Sequence, residues 1–173
     1  MTVEQTQMSD EAVPAGSSRG GGRIVVGVDG SPGSLAALRW ALSEASWRGV
    51  DVHAVGVWRY AGGRGFNVSA GDPRPRDEMA RAMAATIAAA TASPPGAEAP
   101  TRVMVTTTLV LGDPGWELPA AVGHDDLLVV GSRGHGTAVG LLLGSVSQQV
   151  VVHALCPVVV VPNLAQTERG APT

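Results

Sequence analysis

Apolar residues in this chain alternate between two patterns, short continuous runs and stripes at helical spacing. Ile24-Val25-Val26-Gly27-Val28 is the unbroken kind of run that a strand shows when both its faces are buried. Ser31 and Ser34 then supply helix-start chemistry around Pro32, and Leu35, Leu38, Leu42 and Ala45 recur at helical spacing until Gly49. Val50 to Trp58 predicts a second strand. Residues 76–91 predict a second helix, with Met79, Met83 and Ile87 on a core-facing stripe and Pro94-Pro95-Gly96 as its stop. Val103 to Leu111 predicts a third strand, and Gly112-Asp113-Pro114 turns into a short helix carrying Leu118 and Val122. Leu127 to Val130, residues 144–155 and Val158 to Val161 complete the series as strand, helix and strand.

Strict alternation of this kind predicts an α/β fold, a single doubly wound domain. Its five-stranded parallel sheet takes the order 3-2-1-4-5, with helices on both faces. Residues 1–22 are polar, then rich in Gly and Ser, and are expected to be a disordered leader; residues 163–173 are expected to be a flexible tail. Residues 23–162 form the domain. The order 3-2-1-4-5 makes strands 1 and 4 neighbours, so the residues after each would face one crevice at the strand carboxyl ends. The glycine-rich stretch 59–75 is long for a loop inside a compact domain, and loops of that length often act as lids. It is expected to order around a ligand.

Composition narrows the choice of function. The hydrophobic share of 45% comes mainly from Ala, Val and Leu, with one Phe and one Tyr, which suits thin helices lying close on a β-branched sheet. Net charge is −3, and the 12 basic residues are all Arg, scattered rather than clustered, so nucleic acid is not an expected partner. With no Lys, the chain lacks the lysine of a GxxxxGKS phosphate loop. Cys156 is the single cysteine and reads as a small buried hydrophobe. No apolar run approaches ~20 residues and no signal peptide opens the chain, so no membrane partner and a cytoplasmic location are expected.

The candidate chemistry lies after the fourth strand. Gly131-Ser132-Arg133-Gly134 is followed, after nine residues, by Gly144-Ser145 at the start of a helix. A strand that ends in a glycine loop and reopens as a helix makes a phosphate cradle, because glycine admits close backbone approach and the first helical N–H groups point at the anion. Asp29 either caps its own turn or faces the same crevice. Ser145 is a helix N-cap, a phosphate donor, or both. Arg133 is a phosphate contact or a solvated charge, and Gly134 and Gly136 are ligand or turn glycines. His135 reads as a surface histidine, since no orienting partner is visible. Trp40 and Trp47 read as packing or interface anchors. His53, His124 and His153 are dispersed, without metal-ligand spacing.

Taken together, Val26-Gly27-Val28-Asp29-Gly30-Ser31-Pro32, Gly112-Asp113-Pro114, the glycine loop, Gly144-Ser145-Val146-Ser147 and Cys156-Pro157 with its valine strand resemble a universal stress protein. The spacing G-x2-G-x9-G-S marks the ATP-binding branch of that family. The resemblance implies that Gly27 and Asp29 lie against the adenosine, Asp29 on the ribose side, and that Val57 meets the adenine edge through its backbone. It implies that Gly131, Ser132, Arg133 and Gly134 wrap the ribose and phosphates. Gly144, Ser145 and Val146 would hold the phosphates, with Mg²⁺ or Mn²⁺ held mainly by the nucleotide. A regulatory role follows, without catalytic residues of its own. The alternatives are a slow ATPase or adenylating enzyme on the same fold, and a nucleotide-independent dimeric interaction module. Val158 to Val161, an apolar edge strand, is expected to pair with a second copy in a homodimer.

Overall fold

The computed structural model describes residues 22–59, 74–92, 103–135 and 143–162. Five strands and four helices alternate along them: β1 (Ile24–Gly27), α1 (Pro32–Arg48), β2 (Val52–Trp58), α2 (Arg74–Thr91), β3 (Val105–Leu111), α3 (Pro114–Ala120), β4 (Leu127–Gly131), α4 (Ser145–His153) and β5 (Val158–Val161). Every strand pairing is parallel and the order is β3-β2-β1-β4-β5. Pairing sets Ile24 opposite both Val52 and Leu127. This central position explains the sequence pattern: β1 and β4 are covered on both faces, and Val25, Val26, Leu128 and Val129 are each 0% exposed.

Two apolar layers flank the sheet. On one face α1 lays Ala37, Leu38, Ala41 and Ala45 on Ile24, Val26 and Val129, and Met83 and Ile87 of α2 join them. The three alanines let the helix axis approach the sheet closely, and each fully buried Leu or Val contributes roughly 1.5–3 kcal/mol. On the other face Leu118, Ala121 and Val150 cover Val25, Val55, Leu128 and Val130. Trp40 packs at the margin of the first layer, whereas Trp47 is 87% exposed and joins neither apolar layer of the described residues.

The helix ends follow their local chemistry. Ser31 is the N-cap of α1, its Oγ accepting from Ser34 N at 3.1 Å, with Pro32 in the first turn. Gly49 closes α1 at φ +68°, a left-handed conformation that glycine adopts without strain. Asp113 caps α3 by accepting from Gly115 N at 2.9 Å. Boundaries shift slightly from the sequence expectation. β2 and β3 begin at Val52 and Val105, and α3 ends before Val122. α2 begins at Arg74, so it takes two residues from the expected 59–75 loop. Residues 60–73 of that loop, residues 1–21 of the leader, the tail, Gly136 and the Pro94-Pro95-Gly96 stop lie outside the described residues. Among the described residues no helix is long and apolar enough to cross a membrane.

Candidate functional site

The chain leaves β1 toward one face of the sheet, into α1, and leaves β4 toward the opposite face, into α4. Splitting two adjacent parallel strands in this way opens a crevice at their carboxyl ends. A cavity of about 510 Å³ occupies it. Its floor is apolar, formed by Val55, Leu118 and Val130, and its rim is polar, with Asp29, Arg59, Arg133, His135 and Ser145. That combination, an apolar body with a few convergent polar groups, is the usual character of a small-molecule site.

Glycine makes the crevice narrow enough to be a site. A Cβ on Gly131 would lie 2.6 Å from the carbonyl carbon of Gly33, and one on Gly33 would fall on the carbonyl oxygen of Arg133. The loop after β4 therefore runs backbone to backbone along the first turn of α1. A Cβ on Gly134 would come within 2.5 Å of Asp29 Oδ2. Only a hydrogen fits there, and this draws the loop over the Asp29 carboxylate.

Of the ten residues singled out from sequence, Gly27, Asp29, Val57, Gly131, Arg133, Gly134, Gly144, Ser145 and Val146 line this cavity. Ser132 does not. It is 6% exposed, its N–H donates to Val161 O at 2.8 Å, and its carbonyl accepts from Gly144 N at 2.7 Å and Ser147 Oγ at 3.0 Å. Ser132 thus ties the loop to β5 and to α4, and the expectation that it wraps a ligand is corrected to a structural role. Gly144 needs a similar correction. Its N–H is engaged by Ser132, so anion-binding donors at this helix must come from the residues after it. Ser145 is not the N-cap: Gly144 is, with no side-chain cap, so the orphan N–H groups of the first turn of α4 have no capping side chain.

The polar groups divide by hydrogen-bonding character. Asp29 Oδ1 accepts from Ser31 N at 2.9 Å, so the turn-capping role is real, but it uses only one carboxylate oxygen. Among the described residues Oδ2 has no donor. Arg133 is half-buried, and its Nε is a buried donor without a hydrogen-bond partner among the described residues. Such a donor costs roughly 1–3 kcal/mol unless something satisfies it. The positive end of the α4 dipole opens on the same cavity. At the β2 side Arg59 Nη1 reaches Asp113 Oδ2 at 3.1 Å across the rim.

Several of these features escape the sequence motifs. His135 has a partner after all: its Nε2 lies 2.8 Å from the backbone oxygen of Asp29. Gly33 is the contact glycine of α1, and its signal was available, since a glycine inside an otherwise good helix marks a close approach. Arg59, just after β2, and Pro114, at the start of α3, also line the cavity, though sequence assigns neither a ligand role. Among the described residues no group of three or more His, Cys, Asp or Glu side chains converges to hold a metal ion.

Known proteins share both the sequence and this architecture. The family model described as the universal stress protein family matches residues 22–162. A universal stress protein of Mycolicibacterium smegmatis is 35% identical over 145 residues, which cover 80% of this chain and 45% of that protein. The chain spans about half the length of the curated relatives it matches. Among solved structures, universal stress protein UspA from Lactobacillus plantarum superposes with a TM-score of 0.60 at 22% identity, covering 81% of this chain and 97% of that one. A universal stress protein crystallised in complex with cAMP gives a TM-score of 0.55 at 24% identity, covering 83% and 98%. At these identities the two structures show a shared fold. The matching family model and the relative at 35% identity show more: this chain belongs to the universal stress protein family.

Proposed function

We propose that the cavity binds an adenine nucleotide, ATP with Mg²⁺ or Mn²⁺ held mainly by its phosphates, and that the protein is a cytoplasmic stress-response regulator rather than an enzyme. The observation that carries this reading is that one cavity is lined both by Arg133, a half-buried cation, and by the first turn of α4, whose N–H groups no side chain caps. A phosphate supplies a counter-charge for the first and acceptors for the second. Gly131 and Gly134 let the loop lie close to the ligand, Ser145 and Val146 offer N–H groups and a hydroxyl, and Val57 offers its backbone to the base. Asp29, an acceptor, suits the sugar. The neighbour crystallised with cAMP holds an adenine nucleotide on the same fold.

Regulation is favoured over catalysis by the setting of His135. Among the described residues no carboxylate pairs with its ring, its one hydrogen bond being to the backbone oxygen of Asp29, so the His–carboxylate couple of a strong general base is missing. Hydrolysis, where it occurs, is therefore expected to be slow. A homodimer through β5 belongs to the same proposal: Val158–Val161 forms a sheet edge with all four valines only half-buried, and α4 exposes Val151 and Val152 beside it. The nucleotide reading is tested by denaturing purified protein and measuring released adenine nucleotide by mass spectrometry. Wild type is expected to release it. Asp29→Ala and Gly144→Trp, the first removing the sugar acceptor and the second filling the cavity, are expected to release less than a tenth as much. Equal release from all three proteins would place the nucleotide elsewhere.

A further inference from the structure

His135 sits where the loop after β4 meets the loop after β1. A backbone carbonyl has no proton to give, so the 2.8 Å contact between His135 Nε2 and the Asp29 oxygen requires the proton on Nε2. This fixes the tautomer of the neutral ring. Nδ1 is then a bare acceptor, and it has no partner among the described residues. Asp29 is in the same condition, with Oδ1 taken by Ser31 N and Oδ2 left open beside Gly134. The cavity thus has an acceptor side, Asp29 and His135, and a donor side, Arg133 and the first turn of α4.

A ligand that satisfies both sides must bring hydroxyl donors to one and anionic oxygens to the other. Phosphate alone would be repelled by the Asp29 side. A nucleoside without free sugar hydroxyls would leave both acceptors unmet. We infer that His135 is a ligand-specificity residue which, held in one tautomer by the Asp29 carbonyl, accepts a hydrogen bond from a ribose hydroxyl and selects ribonucleotides over deoxyribonucleotides. The inference rests on the nucleotide reading above. It assigns a selective role to a residue of the nine-residue spacer between Gly134 and Gly144.

The test is equilibrium binding of Mg²⁺ with ATP, 2′-deoxy-ATP or 3′-deoxy-ATP to the full chain. One hydrogen bond at an exposed rim supports a modest preference, so at least one deoxy analogue is expected to bind roughly tenfold more weakly than ATP. In His135→Phe that ratio is expected to fall to about two or less, with ATP binding itself weakened by a similar factor. His135→Lys separates contact from clasping, because its ammonium can still donate to the Asp29 oxygen while it has no acceptor. It is expected to lose the preference as well. Equal affinity of wild type for all three nucleotides, or a preference that survives in His135→Phe or His135→Lys, overturns the inference while leaving the nucleotide reading standing. Failure of ATP itself to bind overturns both.

Discussion

Gly33→Ala is expected to destabilise the protein by roughly 2–3 kcal/mol and to abolish ligand binding together. The substitution would be mildly favourable in an isolated helix, since alanine exceeds glycine in helix propensity by about 1 kcal/mol. Here the new Cβ would fall on the carbonyl oxygen of Arg133, which is backbone and cannot rotate away. Either α1 or the loop after β4 must move. The loop is the weaker partner, but its movement is costly: Gly131 lies against Gly33, and Ser132 is hydrogen-bonded to β5 and α4. Displacing it shifts Arg133 and Gly134 away from Asp29. Urea unfolding measures the first effect and nucleotide titration the second. Gly49→Ala is the control, because nothing lies within 4 Å of that Cβ and only the left-handed φ of +68° is penalised, at about 1 kcal/mol. A Gly33→Ala protein as stable as wild type, with its ligand affinity intact, would mean that the loop does not pack on α1 as described.

A second large effect is expected from acid. His53 points from β2 into the face covered by α3, and it is 7% exposed. Its Nδ1 lies 2.8 Å from Thr106 Oγ1, while Nε2 is buried without a partner among the described residues. Burial therefore lowers its pKa to about 4, helped by the positive charge of Arg23 and opposed by Asp126. Those two groups pair with each other at 3.2 Å, which is why desolvation dominates. The unfolded chain takes up a proton near pH 6.5 that the folded protein refuses until about pH 4. The stability from neutral His53 is fully present above pH 6.5 and declines as pH falls to about 4. Each pKa unit corresponds to about 1.4 kcal/mol, so the loss between pH 7 and 4.5 is of order 2 kcal/mol. Carboxylates also titrate in acid, so the quantity to compare is the change in wild type against that in His53→Leu. The variant is expected to lose roughly 2 kcal/mol less over this interval. Parallel stability curves for the two proteins would contradict the buried neutral state.

How far the sequence foretold these features depended on their periodicity. The strands of the sheet were legible because β1 and β4, covered on both faces, and β5, half-buried at the edge, show as continuous valine- and leucine-rich runs. Of the helical stripe Leu35, Leu38, Leu42 and Ala45, the structure buries Leu38 and Ala45 and leaves Leu35 and Leu42 only partly covered, with Ala37 and Ala41 filling the core face instead. The crevice followed from the order of strands alone. What escaped was anything decided by packing between distant loops. The glycine spacing marked the loop after β4, but it could not show that Ser132 turns inward while Arg133 turns toward the cavity. His135 looked isolated because its partner is a backbone oxygen 106 positions away, invisible to any side-chain motif. His53 looked dispersed because the burial that perturbs it is a property of the sheet face. Of the two roles open to Trp47, packing is removed by its 87% exposure, because helical spacing gives a direction but not what lies there.

The central claim, that the crevice between β1 and β4 is a nucleotide site, is tested most directly by calorimetric titration of nucleotide-free protein with ATP and Mg²⁺, in parallel with Arg133→Ala. The account predicts one nucleotide bound per chain by wild type, and an affinity at least about tenfold lower once the Arg133 guanidinium is removed. Absence of binding at millimolar ATP, or an affinity unchanged in Arg133→Ala, would contradict it.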